Sequence, residues 1–338
     1  MTDTAVPLVL HPDRLLPAEP GVRAVARRLY DAVRDGSNAN SGLWMGIALG
    51  ALAAAGRDKL TFVIDPPLPA FGLWVEQLIA ESTGKQGRGI VPVVDEPLAD
   101  PPAYGHDRTF LHLRHVDAPD AGTDARVREL AAAGHPVLVR PLHEPTDLGR
   151  LFFVSEFATA VAGWVLGINP FDQPEVAEAK DNTQRALHDD LPDQADAGDG
   201  DLAALLDGLA PPSYLAIMAY AQASPELDAA AADLRAAVRD ATGAATTFGY
   251  GPRFLHSTGQ LHKGGPATGR FLQLLHDSPP DVEVHGAGHG FTRLKHAQAI
   301  GDLDTLRARG LPAERVTLAG DDPAAALRDL DARIRGLL

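Results

Sequence analysis

The run Leu60-Thr61-Phe62-Val63-Ile64, followed by a helix-patterned stretch at 66–82 and then by Gly89-Ile90-Val91-Pro92-Val93-Val94, decides the fold. The first run is short, apolar and rich in β-branched side chains, which suits a strand buried on both faces of a parallel sheet. The stretch between places Phe71, Trp74, Val75, Leu78 and Ile79 at helical spacing. Strand, helix, strand is the unit from which layered α/β domains are built. Working outward, residues 42–55 predict a helix capped by Asn40 or Ser41 and closed by Gly56. Before it, residues 21–33 predict an amphipathic helix through Val22, Val25, Leu29 and Val33. Strands are expected at 109–113 and 137–140, with helices at 125–133 and 148–167 around them. Trp44, Trp74 and Trp164 fall on apolar helix faces and are expected in the core.

The alternation stops at residues 189–201, where six aspartates sit among Pro192, Gly198 and Gly200 with almost nothing apolar. Such a stretch reads as a solvated linker. A second series follows: strand 214–220, helix 225–241, strand 246–250, a glycine-rich loop, strands 271–275 and 282–285, helix 292–309, strand 316–319 and helix 323–337. The expected organisation is an N-terminal extension (1–20), an α/β domain (21–188), the acidic linker (189–201) and a smaller C-terminal α/β lobe (202–338).

The chain has 338 residues, a formal net charge of −15 and no cysteine. The missing thiols exclude disulfides, thiolate catalysis and Cys-based zinc sites. The acidic balance argues against nucleic acid and anionic membrane as partners. No window reaches the ~18 consecutive apolar residues of a membrane span, and residues 1–20 lack the apolar core of a signal peptide. A soluble cytoplasmic protein is the expectation.

Arginine supplies most of the positive charge, so the five lysines stand out. Arginine replaces lysine wherever solvated charge suffices, but not where a compact ammonium must fit a pocket. Three of them close short motifs: Glu81-Ser82-Thr83-Gly84-Lys85, Asn169-Pro170-Phe171-Asp172-Gln173 running on to Lys180, and His256-Ser257-Thr258-Gly259-Gln260-Leu261-His262-Lys263-Gly264-Gly265. The first ends a predicted helix. Asp95-Glu96-Pro97 follows at the carboxyl end of the next strand, the edge where open α/β sheets bind ligands. The third offers Arg253, Ser257, Thr258, Lys263 and the Gly264-Gly265 amides as donors in one loop, the composition of an oxyanion nest. It lacks the Walker spacing. A metal held by His256 and His262 is weakly signalled, because no carboxylate lies between them at ligand spacing. His285 and His289 could border a site, and His112, His115 and His143 have no partner legible in the sequence.

Taken together, these motifs resemble the second sugar-isomerase (SIS) domain of the phosphoglucose isomerase family, most closely the isomerase half of bacterial transaldolase–phosphoglucose isomerase fusions. The likeness runs from about Asn40 onward and includes Gly249 to Pro266. It implies an SIS-like three-layer α/β sandwich with a mainly parallel sheet. It also implies interconversion of glucose 6-phosphate and fructose 6-phosphate through an enediol, without metal or organic cofactor. Glu96 matches the family's catalytic base and Lys180 its active-site lysine, while His256 or His262 would open the sugar ring. Ser82, Thr83, Lys85, Gln173, Arg253, Ser257, Thr258, Lys263, Gly264 and Gly265 are then candidate substrate contacts. The chemistry suits these residue types: a carboxylate shuttles the proton between neighbouring carbons, and cations stabilise developing oxyanion charge. The family's Gly-Ile-Gly-Gly-Ser, Ser-Lys-Ser-Gly-Thr-Thr and Gly-Gly-Arg-Phe-Ser strings do not occur here. The expected assembly is therefore a homodimer or a complex with a separate first-domain chain. A non-catalytic phosphosugar-binding subunit and an isomerase for another sugar are the alternative readings.

Overall fold

The computed structural model describes residues 41–143, 147–174, 183, 185, 187, 200–277 and 280–338. The helix expected at 21–33, Lys180 and the acidic stretch 189–199 lie outside the described residues. Contacts divide the chain into two compact units. One comprises Met1–Thr83, Arg88–Pro102 and His106–Phe171, and the other Gly84–Gly87, Ala103–Gly105 and Asp172–Leu338. The division thus falls after Phe171, ahead of the acidic stretch.

The first unit contains α1 (Ser41–Ala54), β1 (Lys59–Ile64), α2 (Phe71–Thr83), β2 (Val91–Val93), β3 (Arg108–His115), α3 (Ala121–Ala132), β4 (Val137–Leu142) and α4 (Asp147–Leu166). Its strands form one parallel sheet ordered β2-β1-β3-β4, with Lys59 opposite Val91 on one side and Arg108 on the other. Leu60, Phe62, Leu111, Leu113 and Leu138 alternate onto one face, where they meet Leu49 and Leu52 of α1, Val75 and Ile79 of α2, and Val154 and Ala158 of α4. Among the alternate positions of β1 and β3, Lys59, Thr61, Arg108 and His112 are polar and still buried, beside apolar Val63 and Phe110.

Helices α1 and α4 lie close together because α1 carries glycine at positions four apart. A Cβ on Gly46 would overlap the carbonyl oxygen of Ala158 and lie 2.6 Å from Val161 Cβ. One on Gly50 would lie 2.7 Å from Val165 Cβ. Both contacts advance along the two chains together, so the helices run in the same direction. By length and composition α4 could cross a membrane, and in this fold it buries Leu151, Val154, Ala158, Ala162 and Leu166 in the unit's core.

The second unit contains α5 (Leu202–Leu206), β5 (Tyr214–Tyr220), α6 (Pro225–Thr242), β6 (Ala245–Tyr250), α7 (Ser257–Gly264), β7 (Gly269–Leu275), α8 (Phe291–Ala308), β8 (Ala313–Thr317) and α9 (Pro323–Arg335). Its four strands are again parallel, in the order β6-β5-β7-β8, the same connectivity as the first sheet and the same number of strands. β5 is buried throughout, as expected of a central parallel strand. α6 begins at Ser224, whose hydroxyl accepts from Leu227 N, with Pro225 in the first turn, and ends on Gly243 at φ 71°.

Three expectations need correction. The glycine-rich stretch 256–265 is not a loop: residues Arg253–Leu255 form a 3-10 turn and Ser257–Gly264 form α7. Glycine lowers helix propensity, yet Gly259 is the one residue that fits, because a Cβ there would overlap the carbonyl oxygen of Phe254. Residues 282–285 form no strand. Their one bridge joins Glu283 to Gly290 across a turn, leaving Val282 61 % exposed with no neighbouring strand to bury it. Trp164 is 64 % exposed rather than in the core, while Trp44 and Trp74 do pack against it.

Candidate functional site

In the first unit the carboxyl ends of β1 and β3 flank the point where chain connections leave in opposite directions, the place where such sheets bind ligands. β2 ends at Val93 and the chain turns at Asp95, whose φ of 53° is unusual for a side chain other than glycine. Aspartate tolerates this geometry better than most residues. Asp95 is exposed and Glu96 is buried, so the turn directs Glu96 inward. Arg108, fully buried on β3, reaches it: Nη2 lies 3.0 Å from Oε1 and 2.9 Å from Oε2, while Nη1 donates to Thr61 Oγ1 at 2.8 Å. A guanidinium bonded in this way fixes both orientation and charge balance. Next to it, Lys59 Nζ lies 2.7 Å from Asp58 Oδ1 and 3.7 Å from Asp107 Oδ2. Burial pushes the Asp58 carboxyl up, against the pull of Lys59.

A second buried pair lies at the end of β1. His112 Nε2 is 3.1 Å from Asp65 Oδ1, and Asp65 Oδ2 accepts from the amide of His115 at 3.0 Å. Neither this pair nor Arg108 was singled out in the sequence. The available signal was three polar residues, Arg108, His112 and Arg114, on the alternate positions of one strand with only Phe110 apolar among them, where burial on both faces calls for apolar side chains.

The second unit brings together three motifs that are far apart in the chain. Lys85 is buried and its Nζ lies 3.1 Å from Oδ1 of Asp172, within the Asn-Pro-Phe-Asp-Gln string. Gln260 of α7 donates to the carbonyl of Gly84 at 2.9 Å, and the amide of Gly87 donates to the carbonyl of Gly264 at 2.9 Å. The turn after α2, the start of the Phe-Asp-Gln motif and α7 are thus tied by hydrogen bonds and one ion pair. Gln173 is exposed nearby in sequence. Ser82 and Thr83 belong to the first unit, where Thr83 Oγ1 donates to Ile79 O at 2.7 Å and accepts from Ile90 N at 3.0 Å.

Because 257–264 is helical, its donors do not converge as an amide nest. Ser257 and Thr258 stand at the amino end of α7, beside Arg253 and the exposed His256. Gly264 and Gly265 stand at its carboxyl end, where carbonyl oxygens are presented. Lys263 lies at the other end of the helix from Ser257, but its side chain folds back: Nζ donates to Phe254 O at 2.8 Å and to Asp302 Oδ1 at 2.5 Å, with both side chains of the ion pair buried. Burial pushes the Asp302 carboxyl up, opposed by Lys263. Tyr220 lies beneath Phe254 with ring centroids 5.8 Å apart, and burial beside Asp302 holds its hydroxyl well above the usual tyrosine range.

His262 is enclosed by aromatic rings. Phe254 stacks on it at 6.0 Å and Phe271 approaches to 4.9 Å. Burial, with Lys263 adding to it, lowers its pKa to about 3, so the imidazole is neutral near pH 7. Nδ1 has no hydrogen-bond partner among the described residues. Among those residues no group of three or more His, Cys, Asp or Glu is arranged to hold a metal ion.

No family model matches the chain. Glucose-6-phosphate isomerase from Lactobacillus helveticus is 28 % identical over 171 residues, which is 38 % of this chain and 38 % of that protein. The enzyme from Leptospira biflexa is 30 % identical over 153 residues, 34 % of each. That from Alkaliphilus metalliredigens is 28 % identical over 198 residues, 48 % of this chain and 44 % of the relative. The matched part is thus between about a third and under half of these relatives' length. A solved hypothetical protein from Thermus thermophilus aligns over 96 % of this chain and 90 % of its own at 15 % identity, with a TM-score of 0.35, a likeness too distant to bear on fold or function. Through that shared third or so of its sequence, the chain is related in part to the glucose-6-phosphate isomerases.

Proposed function

We propose that the protein is a phosphosugar aldose–ketose isomerase acting on glucose 6-phosphate and fructose 6-phosphate. The observation that carries the reading is Glu96, a carboxylate turned inward just past the carboxyl end of a parallel strand and held by an arginine. Enolisation needs a carboxylate whose position is fixed relative to one carbon–hydrogen bond. In this reading Glu96 removes the proton from one carbon and returns it to the neighbour, and Lys180 stabilises the enediol oxygen. Arg253, Ser257 and Thr258 at the amino end of α7 hold the phosphate, where helix amides and the dipole favour an anion. His256 opens the ring. It is exposed, whereas His262 lacks a protonated form to give near neutrality. Lys263, already committed to Asp302, serves the architecture of α7 rather than the phosphate. The reaction proceeds in the cytoplasm and needs no metal or organic cofactor.

A coupled assay of fructose 6-phosphate turnover, with Glu96→Gln beside the parent chain, tests this. Loss of a general base costs about 10²–10⁴-fold; equal rates for the two proteins would overturn the assignment. The tie between Glu96 and Arg108, together with the share of the relatives' length that is matched, favours one other reading: a subunit that binds a phosphosugar without converting it. Calorimetric binding of 6-phosphogluconate with no turnover would select that reading.

A further inference from the structure

The carboxyl edge of the second sheet carries a polar cluster that the isomerase reading leaves unused. In the order β6-β5-β7-β8 the chain leaves β5 toward β6 and leaves β7 toward β8. The carboxyl ends of β5 and β7 therefore flank a switch point, the position where open parallel sheets take ligands. Asp277 stands there, just past the end of β7 at Leu275, and the amide of His276 ties the two strand ends together by donating to Tyr220 O at 3.1 Å. His296 Nε2 lies 2.8 Å from Oδ1 and 3.0 Å from Oδ2 of Asp277, and Lys295 Nζ lies 2.5 Å from Oδ1. Lys295 Nζ also donates to the carbonyl of His276. The Asp277 side chain is still 49 % exposed. Burial alone would raise its carboxyl, but the hydrogen bonds from Lys295 and His296 outweigh that and hold it below the usual range. One helical turn before Lys295, on the same side of α8, Phe291 is 55 % exposed, and its amide donates to the carbonyl of exposed Val282.

We infer that this edge is a second ligand site, and that it takes a neutral ring rich in hydroxyl groups, a free sugar or a cyclic polyol. The charges of Lys295 and Asp277 cancel. A phosphate group would meet the Asp277 carboxylate, and a cation would meet the Lys295 ammonium. Hydroxyl groups suit both, because each donates to a carboxylate and accepts from an ammonium or an imidazole N–H. The exposed ring of Phe291 offers a face of negative potential, on which the polarised C–H bonds of a sugar ring rest favourably. An aromatic face beside a few oriented polar groups is the composition of a small-molecule site. The corresponding edge of the first sheet also carries an Asp–His pair, Asp65 with His112, but both are buried. Of the two pairs, only the second leaves its carboxylate in reach of a ligand.

The full-length protein, with its thirteen histidines labelled with heavy nitrogen, gives imidazole signals in long-range proton–nitrogen spectra, and the one lost in His296→Gln is that of His296. Glucose and myo-inositol should each shift that signal saturably, with half-saturation of order 1–10 mM for a small ligand on an open edge. Inorganic phosphate should not. Asp277→Asn should weaken glucose binding about tenfold, because a charged acceptor is lost. Phe291→Ala should weaken it about fivefold through loss of the ring face. Both side chains are exposed, and circular dichroism checks that each variant keeps the parent's fold. The assignment would be overturned by the absence of a saturable shift with either ring compound up to about 100 mM. Tighter binding of phosphate than of glucose, or parent-like glucose binding in either variant, would overturn it equally.

Discussion

Replacing His262 by leucine should remove a pH dependence from the stability of the second unit. The imidazole is enclosed by Phe254 and Phe271, and its pKa is lowered to about 3 by burial and by Lys263. In the unfolded chain it returns to about 6.5. Between these values the unfolded chain binds a proton that the folded chain refuses. The stability linked to His262 is therefore complete above pH 6.5 and is lost as pH falls toward 3. At pH 5 the deficit spans about 1.5 pH units at about 1.4 kcal/mol each, or roughly 2 kcal/mol. Urea unfolding of parent and His262→Leu at pH 7.5 and 5.0 isolates the effect, because the other titrating groups are common to both proteins. All three tryptophans, Trp44, Trp74 and Trp164, lie in the first unit. The unfolding of the second unit should accordingly be followed by far-ultraviolet circular dichroism and tyrosine absorbance. Between the two pH values the parent should lose about 2 kcal/mol more than the variant. His262→Phe, which suits the aromatic surroundings, should behave in the same way. Parallel pH dependence in parent and both variants, to within about 0.5 kcal/mol, would refute the reasoning.

Lys263→Met should leave Asp302 buried without its cation, at a cost of about 3–5 kcal/mol, a drop of order 10 °C in melting temperature. Adding Asp302→Leu should restore most of it, and calorimetry on the single and double variants decides. Gly46→Ala should destabilise the first unit by about 1–3 kcal/mol, because its Cβ would meet the backbone of α4. Gly149→Ala in α4, whose Cβ would touch nothing within 4 Å, should stabilise it by about 0.5–1 kcal/mol. Denaturant midpoints read both changes, and the same sign for the two would contradict the packing described.

The fold class was legible because periodicity reports burial directly. Leu60-Thr-Phe-Val-Ile64 and Tyr214–Tyr220 are each apolar at nearly every position, and a strand covered on both faces has no other way to read. The capping residues Ser224 and Gly243 likewise mark α6 by chemistry local to the chain. The three lysine-bearing motifs could also be found from the string alone, since short runs of glycine, hydroxyl and charge stand out against an alanine- and leucine-rich background.

What those motifs touch was settled by tertiary contact. Residues 256–265 read as a loop because glycine disfavours helix, whereas the approach of Phe254 admits only glycine at 259 and closes a helical turn around it. Lys263 read as an anion contact, but its partner, Asp302, is 39 residues away in α8. His262 read as an acid–base group until its aromatic enclosure set its protonation. Arg108 on β3 reaches Glu96, which follows β2, with β1 between the two strands, and Lys85 meets Asp172 across 87 residues of chain. Local propensity and burial pattern are properties of a few consecutive residues and can be read in order. Charge pairing and desolvation belong to groups that folding alone makes neighbours.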